Sequence, residues 1–166
     1  MIAIPGVRAG WLVSTLALTA TSALRAQGGG GPPVYAEYRA DAIVGRGTAA
    51  QGGGGVSVPL GVYVRLAVDA SGGATWRNGV TRASGRVDAI GRFLLDPFRE
   101  VPVALSLGGG VSVPYVEKES QVRPYLVLVV DLEGRTRGRL TPAVQLGLGG
   151  GTRIGLVLRT STGRWR

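Results

Sequence analysis

The chain of 166 residues contains no cysteine and no histidine. The first absence excludes disulfide scaffolds, thiol nucleophiles, thiolate metal sites and a lipid-anchoring cysteine. The second excludes a Ser–His–Asp triad, histidine-ligated metal and an imidazole proton shuttle. Charge is scarce as well: 17% of residues are charged, against ~25% in an ordinary soluble domain. Lysine occurs once, as Lys118, so the other basic residues are arginines; 19 bases face 10 acids for a net charge of +9. A long hydrophobic run is also missing. The uncharged stretch Ala9–Leu24 has 16 residues, Ser and Thr among them, short of the ~20 apolar residues of a membrane-spanning helix.

What is abundant is glycine, 29 residues without a strict three-residue period, which excludes collagen. The length corresponds to one domain. The basic balance invites a nucleic-acid reading, but the arginines are scattered singly, and only Arg135-Thr136-Arg137-Gly138-Arg139 clusters. Nucleic-acid surfaces concentrate charge in a patch or stripe, often with stacking aromatics, so no nucleic-acid partner is expected.

Residues 1–26 have the layout of a secretory signal peptide. Arg8 supplies the positive start, Trp11–Ala20 the apolar core, and Thr21–Ala26 small residues for cleavage after Ala23 or Ala26. Residues 27–33, four glycines followed by Pro32 and Pro33 among them, form a flexible spacer. Residues 161–166 are a polar tail.

Between spacer and tail the chain alternates. In Val56–Asp69 every even position is Val or Leu, while the odd positions hold Ser, Pro, Gly, Tyr, Arg, Ala and Asp. Val101–Pro114, Val122–Glu133, Leu140–Leu148 and Ile154–Leu158 repeat the scheme, and Val34–Val44 and Arg82–Leu95 follow it with smaller residues. This is the period of a strand with two unlike faces. In seven of these segments, charged residues fall only on the less apolar face. A soluble secreted β-barrel binding module also alternates. The signal peptide, the low charge, the Gly-rich polar face and the long strands favour the opposite arrangement, with lipid outside and a polar lumen.

Backbone groups in hydrocarbon must be satisfied internally, so the sheet has to close. The fold expected is a closed antiparallel up-and-down transmembrane β-barrel over residues 34–160. Its eight strands are placed at 34–44, 56–69, 74–80, 82–95, 101–114, 122–133, 139–149 and 152–160, with 139–160 readable as one bent strand. Short loops are expected at Gly45–Gly55, Arg77–Val80, Val116–Gln121 and Gly149–Gly151. Pro59, Pro102, Pro114, Pro124 and Pro142 lie near strand ends, where a missing donor is tolerated. The repeat Gly53–Pro59 returns as Gly108–Pro114. No amphipathic helix follows it, so it reads as a sheet bend or loop rather than a phosphate cradle.

These features resemble the small outer-membrane β-barrel proteins of Gram-negative envelopes, the OmpX/OmpA-transmembrane-like superfamily. Arg153–Thr160 follows the family's C-terminal assembly spacing up to Thr160, where the family has an aromatic residue. Tyr38, Trp76, Phe93 and Tyr115 are candidates for an aromatic belt. The resemblance implies residence in outer-membrane lipid and insertion by the barrel-assembly machinery. It implies no activity, because the motifs are architectural. Enzymes among such barrels use a catalytic histidine, which this chain lacks. Glu37 and Asp41, four residues apart on one strand face, would lie about 13 Å apart, too far to share acid–base work, with Arg39 between them. No enzyme activity, cofactor or metal is expected.

The lumen is the candidate site. Its expected charges are Glu37, Arg39, Asp41, Arg65, Asp69, Arg86, Asp88, Arg92, Arg123, Asp131 and Arg153, with Arg82, Glu133, Arg139 and Arg159 on the same faces. Nine bases against six acids leave two readings. One is an Arg–carboxylate network that plugs a lumen only just wide enough for side chains. The other is a narrow anion-preferring pore. The sequence leaves the oligomeric state open.

Overall fold

The computed structural model describes residues 34–161, except 99, 120 and 121. The expected leader and spacer, and all of the expected tail but Ser161, lie outside the described residues. Eight strands run in chain order: β1 Tyr35–Val44, β2 Thr48–Leu60, β3 Val64–Arg77, β4 Val80–Leu94, β5 Ala104–Val116, β6 Tyr125–Glu133, β7 Leu140–Leu148 and β8 Thr152–Ser161. Each pairs antiparallel with its neighbours, and β1 pairs with β8, so the barrel is closed and no edge remains. No helix of the described residues is long and apolar enough to cross a membrane, which says nothing of crossing by strands.

Several expected boundaries are corrected. Val56–Asp69 is not one strand but the end of β2, a turn at Gly61–Tyr63 and the start of β3. The alternation hid this turn because Leu60 pairs with Val64. A three-residue connection between paired residues of equal parity keeps even positions outward on both strands. The same arithmetic hides the turn at Gly45–Gly47, where Val44 pairs with Thr48. The expected loop Gly45–Gly55 therefore shrinks to three residues, and Thr48–Gly55 joins β2. Residues 74–80 are not a separate strand either. Ala74–Arg77 completes β3, and Asn78-Gly79, both at positive φ (51° and 74°), make a two-residue hairpin turn of the kind favoured by the strand twist. Here Arg77 pairs with Val80, so the outward parity switches. The two errors compensate, and the count of eight stands.

Further along, β5 begins at Ala104 rather than Val101, and β6 begins at Tyr125, after Pro124. Residues 139–160 are two strands. Gly149, Gly150 and Gly151 have φ of 137°, 68° and 148°, a turn that side chains with a Cβ would strain. Both copies of the repeat, Gly53–Pro59 and Gly108–Pro114, lie inside β2 and β5, not in loops.

The interior is inverted relative to a water-soluble barrel. Buried residues include twelve Arg, Asp or Glu side chains, whereas thirty large apolar residues are exposed on the outside or at the rims, among them Leu128, Leu148 and Leu156. A monomeric soluble protein rarely shows a contiguous apolar patch beyond a few hundred Å². Here the outward face of every strand is apolar or small.

The lumen as candidate functional site

Inward parity decides which side chains meet. Odd positions point inward on β1, β2, β3, β6, β7 and β8, and even positions on β4 and β5. This places Glu37, Arg39 and Asp41 of β1 in one interior with Arg65 and Asp69 of β3 and Arg86, Asp88 and Arg92 of β4. Asp131 and Glu133 of β6 and Arg153 and Arg159 of β8 complete it. All twelve are buried. Six are arginines and six are carboxylates, so the described interior is neutral.

The twelve divide into two sextets stacked along the barrel axis. In the one farther from the chain ends, Arg39 Nε donates to Asp41 Oδ2 at 2.8 Å, and its Nη1 reaches Asp69. Arg86 bridges Asp41 and Asp88, its Nε 3.0 Å from Asp88 Oδ2. Arg153 Nη1 donates to Asp88 Oδ2 at 2.6 Å. In the sextet nearer the chain ends, Arg159 touches three acids. Its Nε lies 3.1 Å from Glu37 Oε1 and its Nη2 2.6 Å from Asp131 Oδ2, and Nη1 donates to Glu133. Arg92 spans Glu37 and Asp131, both at 3.0 Å. Arg65 Nη1 donates to Glu133 at 3.0 Å, and its guanidinium lies 5.3 Å from the ring centre of Tyr35, within cation–π range.

Each of these ion pairs joins partners inside one sextet. Gln145 of β7 links the two. Its Nε2 donates to Asp131 at 2.7 Å, and its Oε1 accepts from Arg39 at 2.6 Å and from Arg153 at 3.0 Å. Sequence reasoning missed Gln145 because it counted charges. The available signal was its inward parity on a strand otherwise short of inward polar groups.

Three expected lumen charges lie elsewhere. Arg123 is exposed in the coil before β6, and Arg139 is exposed in the connection between β6 and β7. Arg82 is at the rim, 3.8 Å from Glu119, with both side chains more than 40% exposed. These are the three arginines by which bases outnumbered acids. Glu37 and Asp41 fall into different sextets, each held by two arginines.

No family model matches the chain, and no curated protein matches it in sequence. Solved structures do match in fold. The N-terminal β-barrel domain of Pseudomonas aeruginosa OprF superposes with a TM-score of 0.56 at 15% identity, over 78% of this chain and 97% of that one. Neisserial surface protein A gives a TM-score of 0.56 at 11% identity, over 77% and 95%. A de novo designed transmembrane β-barrel gives 0.51 at 12%, over 79% and 96%. The fold is that of the small outer-membrane β-barrels.

In this outer-membrane-type barrel the inward glycines make room for the charged core. A Cβ at Gly155 would fall on Asp41 Oδ1; one at Gly147 would sit 3.1 Å from Arg153 Nε, and one at Gly108 3.1 Å from Arg92 Cγ and 2.8 Å from Val129 Cγ2. Gly155→Ala is therefore expected to displace Asp41 from its two arginines and lower stability by ~1–3 kcal/mol, the usual cost of overpacking. Gly91 faces outward, with only ordinary contacts awaiting a Cβ, the nearest at 3.6 Å. Gly91→Ala should stay close to wild type. Urea unfolding in detergent, followed by tryptophan fluorescence, checks both; equal midpoints would contradict the crowding at Gly155.

Proposed function

We propose that this chain is a non-enzymatic outer-membrane β-barrel with a structural or interaction role, whose lumen is closed by its own charges. In this reading residues 1–26 direct export, the barrel-assembly machinery inserts the chain, and the outward face sits in outer-membrane lipid. The observation that carries the closed lumen is the one-to-one matching of six buried arginines by six buried carboxylates. A conducting lumen keeps some of its charged side chains for water and the passing ion, whereas each of these twelve is ion-paired to another of the set. The excess positive charge that favoured an anion pore lies outside the interior, in Arg82, Arg123 and Arg139. The thirty exposed large apolar residues support lipid over a soluble binding module.

Conductance tests the closed lumen directly. Pure refolded protein in a planar bilayer is expected to give no current steps in molar salt. Reproducible anion-selective steps would replace this reading with the pore. Arg86→Met should not open a channel of defined selectivity, because Arg39 and Arg153 still fill the same layer. Location is tested separately, by fractionating cells that express a tagged chain. Recovery as a soluble periplasmic monomer would refute the membrane reading.

A further inference from the structure

We propose that the mouth of the barrel opposite the chain ends is a binding cup for a small phosphate-type dianion. This goes beyond a closed structural barrel, because it assigns a ligand class to one rim. The cup is a cavity of about 610 Å³ whose lining includes Arg46 of the β1–β2 turn, Arg77 at the end of β3, Arg82 at the start of β4, Glu119, Thr75 and Tyr125. Resting on the closed-lumen reading, the cup has a floor. Ser71 Oγ donates to Gln51 Oε1 at 3.2 Å and Gln51 Nε2 to Ser84 Oγ at 3.1 Å, and the distal sextet follows. A ligand that enters has a floor and no path onward.

Charge separates this cup from the rest of the molecule. Each buried arginine of the lumen is met by a carboxylate. Among the described residues, neither Arg46 nor Arg77 has an acid within 4.0 Å, and Arg82 has Glu119 at 3.8 Å, beyond hydrogen-bond reach. Three guanidinium groups against one carboxylate leave the cup two charges in excess, which matches a dianion. Concave low-dielectric walls concentrate such a field, and the planar guanidinium fork fits phosphate oxygens two at a time. The opposite rim is built differently. Its cavity of about 270 Å³ is lined by Arg135 together with Glu100 and Glu133, and an anion gains little there. The dianion could arrive as a free phosphate compound or as a phosphomonoester lipid headgroup, because both present the same oxygens.

The test uses the full mature chain refolded in zwitterionic micelles, titrated calorimetrically at about pH 8 with inorganic phosphate, there a dianion, and, in a second arm, with phosphatidic acid doped into the micelles. Saturable one-to-one binding is expected in at least one arm. Arg77→Gln and Arg82→Gln should each weaken it about tenfold, the value of a charge-assisted contact. Arg135→Gln with Arg137→Gln, at the other rim, should change it less than about twofold. Binding of free phosphate assigns a soluble ligand, and binding of the lipid alone assigns a headgroup. Non-saturating heats in both arms, or equal weakening by the two pairs of substitutions, overturn the cup. All four positions lie outside the sextets, and heat-modifiable gel mobility confirms that each variant is folded.

Discussion

Arg159→Met is expected to destabilise the barrel by ~3 kcal/mol or more, the cost of leaving a buried charge without its partner. Arg159 is 2% exposed and touches Glu37, Asp131 and Glu133. Without it, three carboxylates share Arg92 and Arg65, and the sextet carries one uncompensated negative charge. Methionine keeps much of the volume, so the loss reports charge rather than a cavity. The comparison is Arg82→Met, which removes a partly exposed rim pair with Glu119 and should cost less than ~1 kcal/mol. Urea midpoints at a constant slope measure both. The double variant Arg159→Met with Glu37→Gln should recover part of the loss, because neutralising one acid restores the balance. Equal midpoints for Arg159→Met and Arg82→Met would show that water reaches the interior and that the sextets are not a plug.

Leu156→Arg is expected to cost ~2–4 kcal/mol and to lower the yield of inserted protein. Leu156 lies mid-way along β8, paired with Ala40 in the middle of β1 and Val144 in the middle of β7, and is 63% exposed. A residue so exposed would accept arginine in water without penalty. In a bilayer the same position is the most expensive for a charge. Leu60→Arg supplies the depth control. Leu60 is 54% exposed but ends β2 beside the turn, where the cost falls to ~0–1 kcal/mol. Folded yield in lipid vesicles, read from heat-modifiable mobility, separates the two. If both substitutions are neutral, the outward face does not contact hydrocarbon.

The class of fold was legible because lipid and lumen impose opposite chemistry on successive residues, so that inside and outside are written at every second position. Where one strand ended and the next began was much less legible. Turns such as Gly61–Tyr63 preserve parity, and an unbroken pattern gave Val56–Asp69 as a single strand. The turn at Asn78-Gly79 falls in the loop expected at Arg77–Val80, but the strand expected at 74–80 runs across it. The site was readable as a set of inward charges, but not as two sextets. Pairing such as Arg92 with Glu37, 55 residues apart, follows from register around the whole barrel. Arg123 was placed in the lumen by parity extended past Pro124. The strand does not reach that far, and parity carries no meaning outside the sheet.

The seam between β1 and β8, joined last in any scheme that adds strands in chain order, has a consequence for assembly. Glu37 faces Arg159 directly across it, and Asp41 faces Gly155, where there is room for it. A slip of one residue would turn Glu37 and Arg39 out into hydrocarbon. A slip of two in one direction would set Arg39 against Arg159. In the other direction it would set Glu37 against Val157, which closes off its arginine. Each of these slips separates Glu37 from the arginine it faces in the native register. The same residues that fill the finished interior thus favour, during closure, the alignment in which Glu37 and Arg159 meet across the seam.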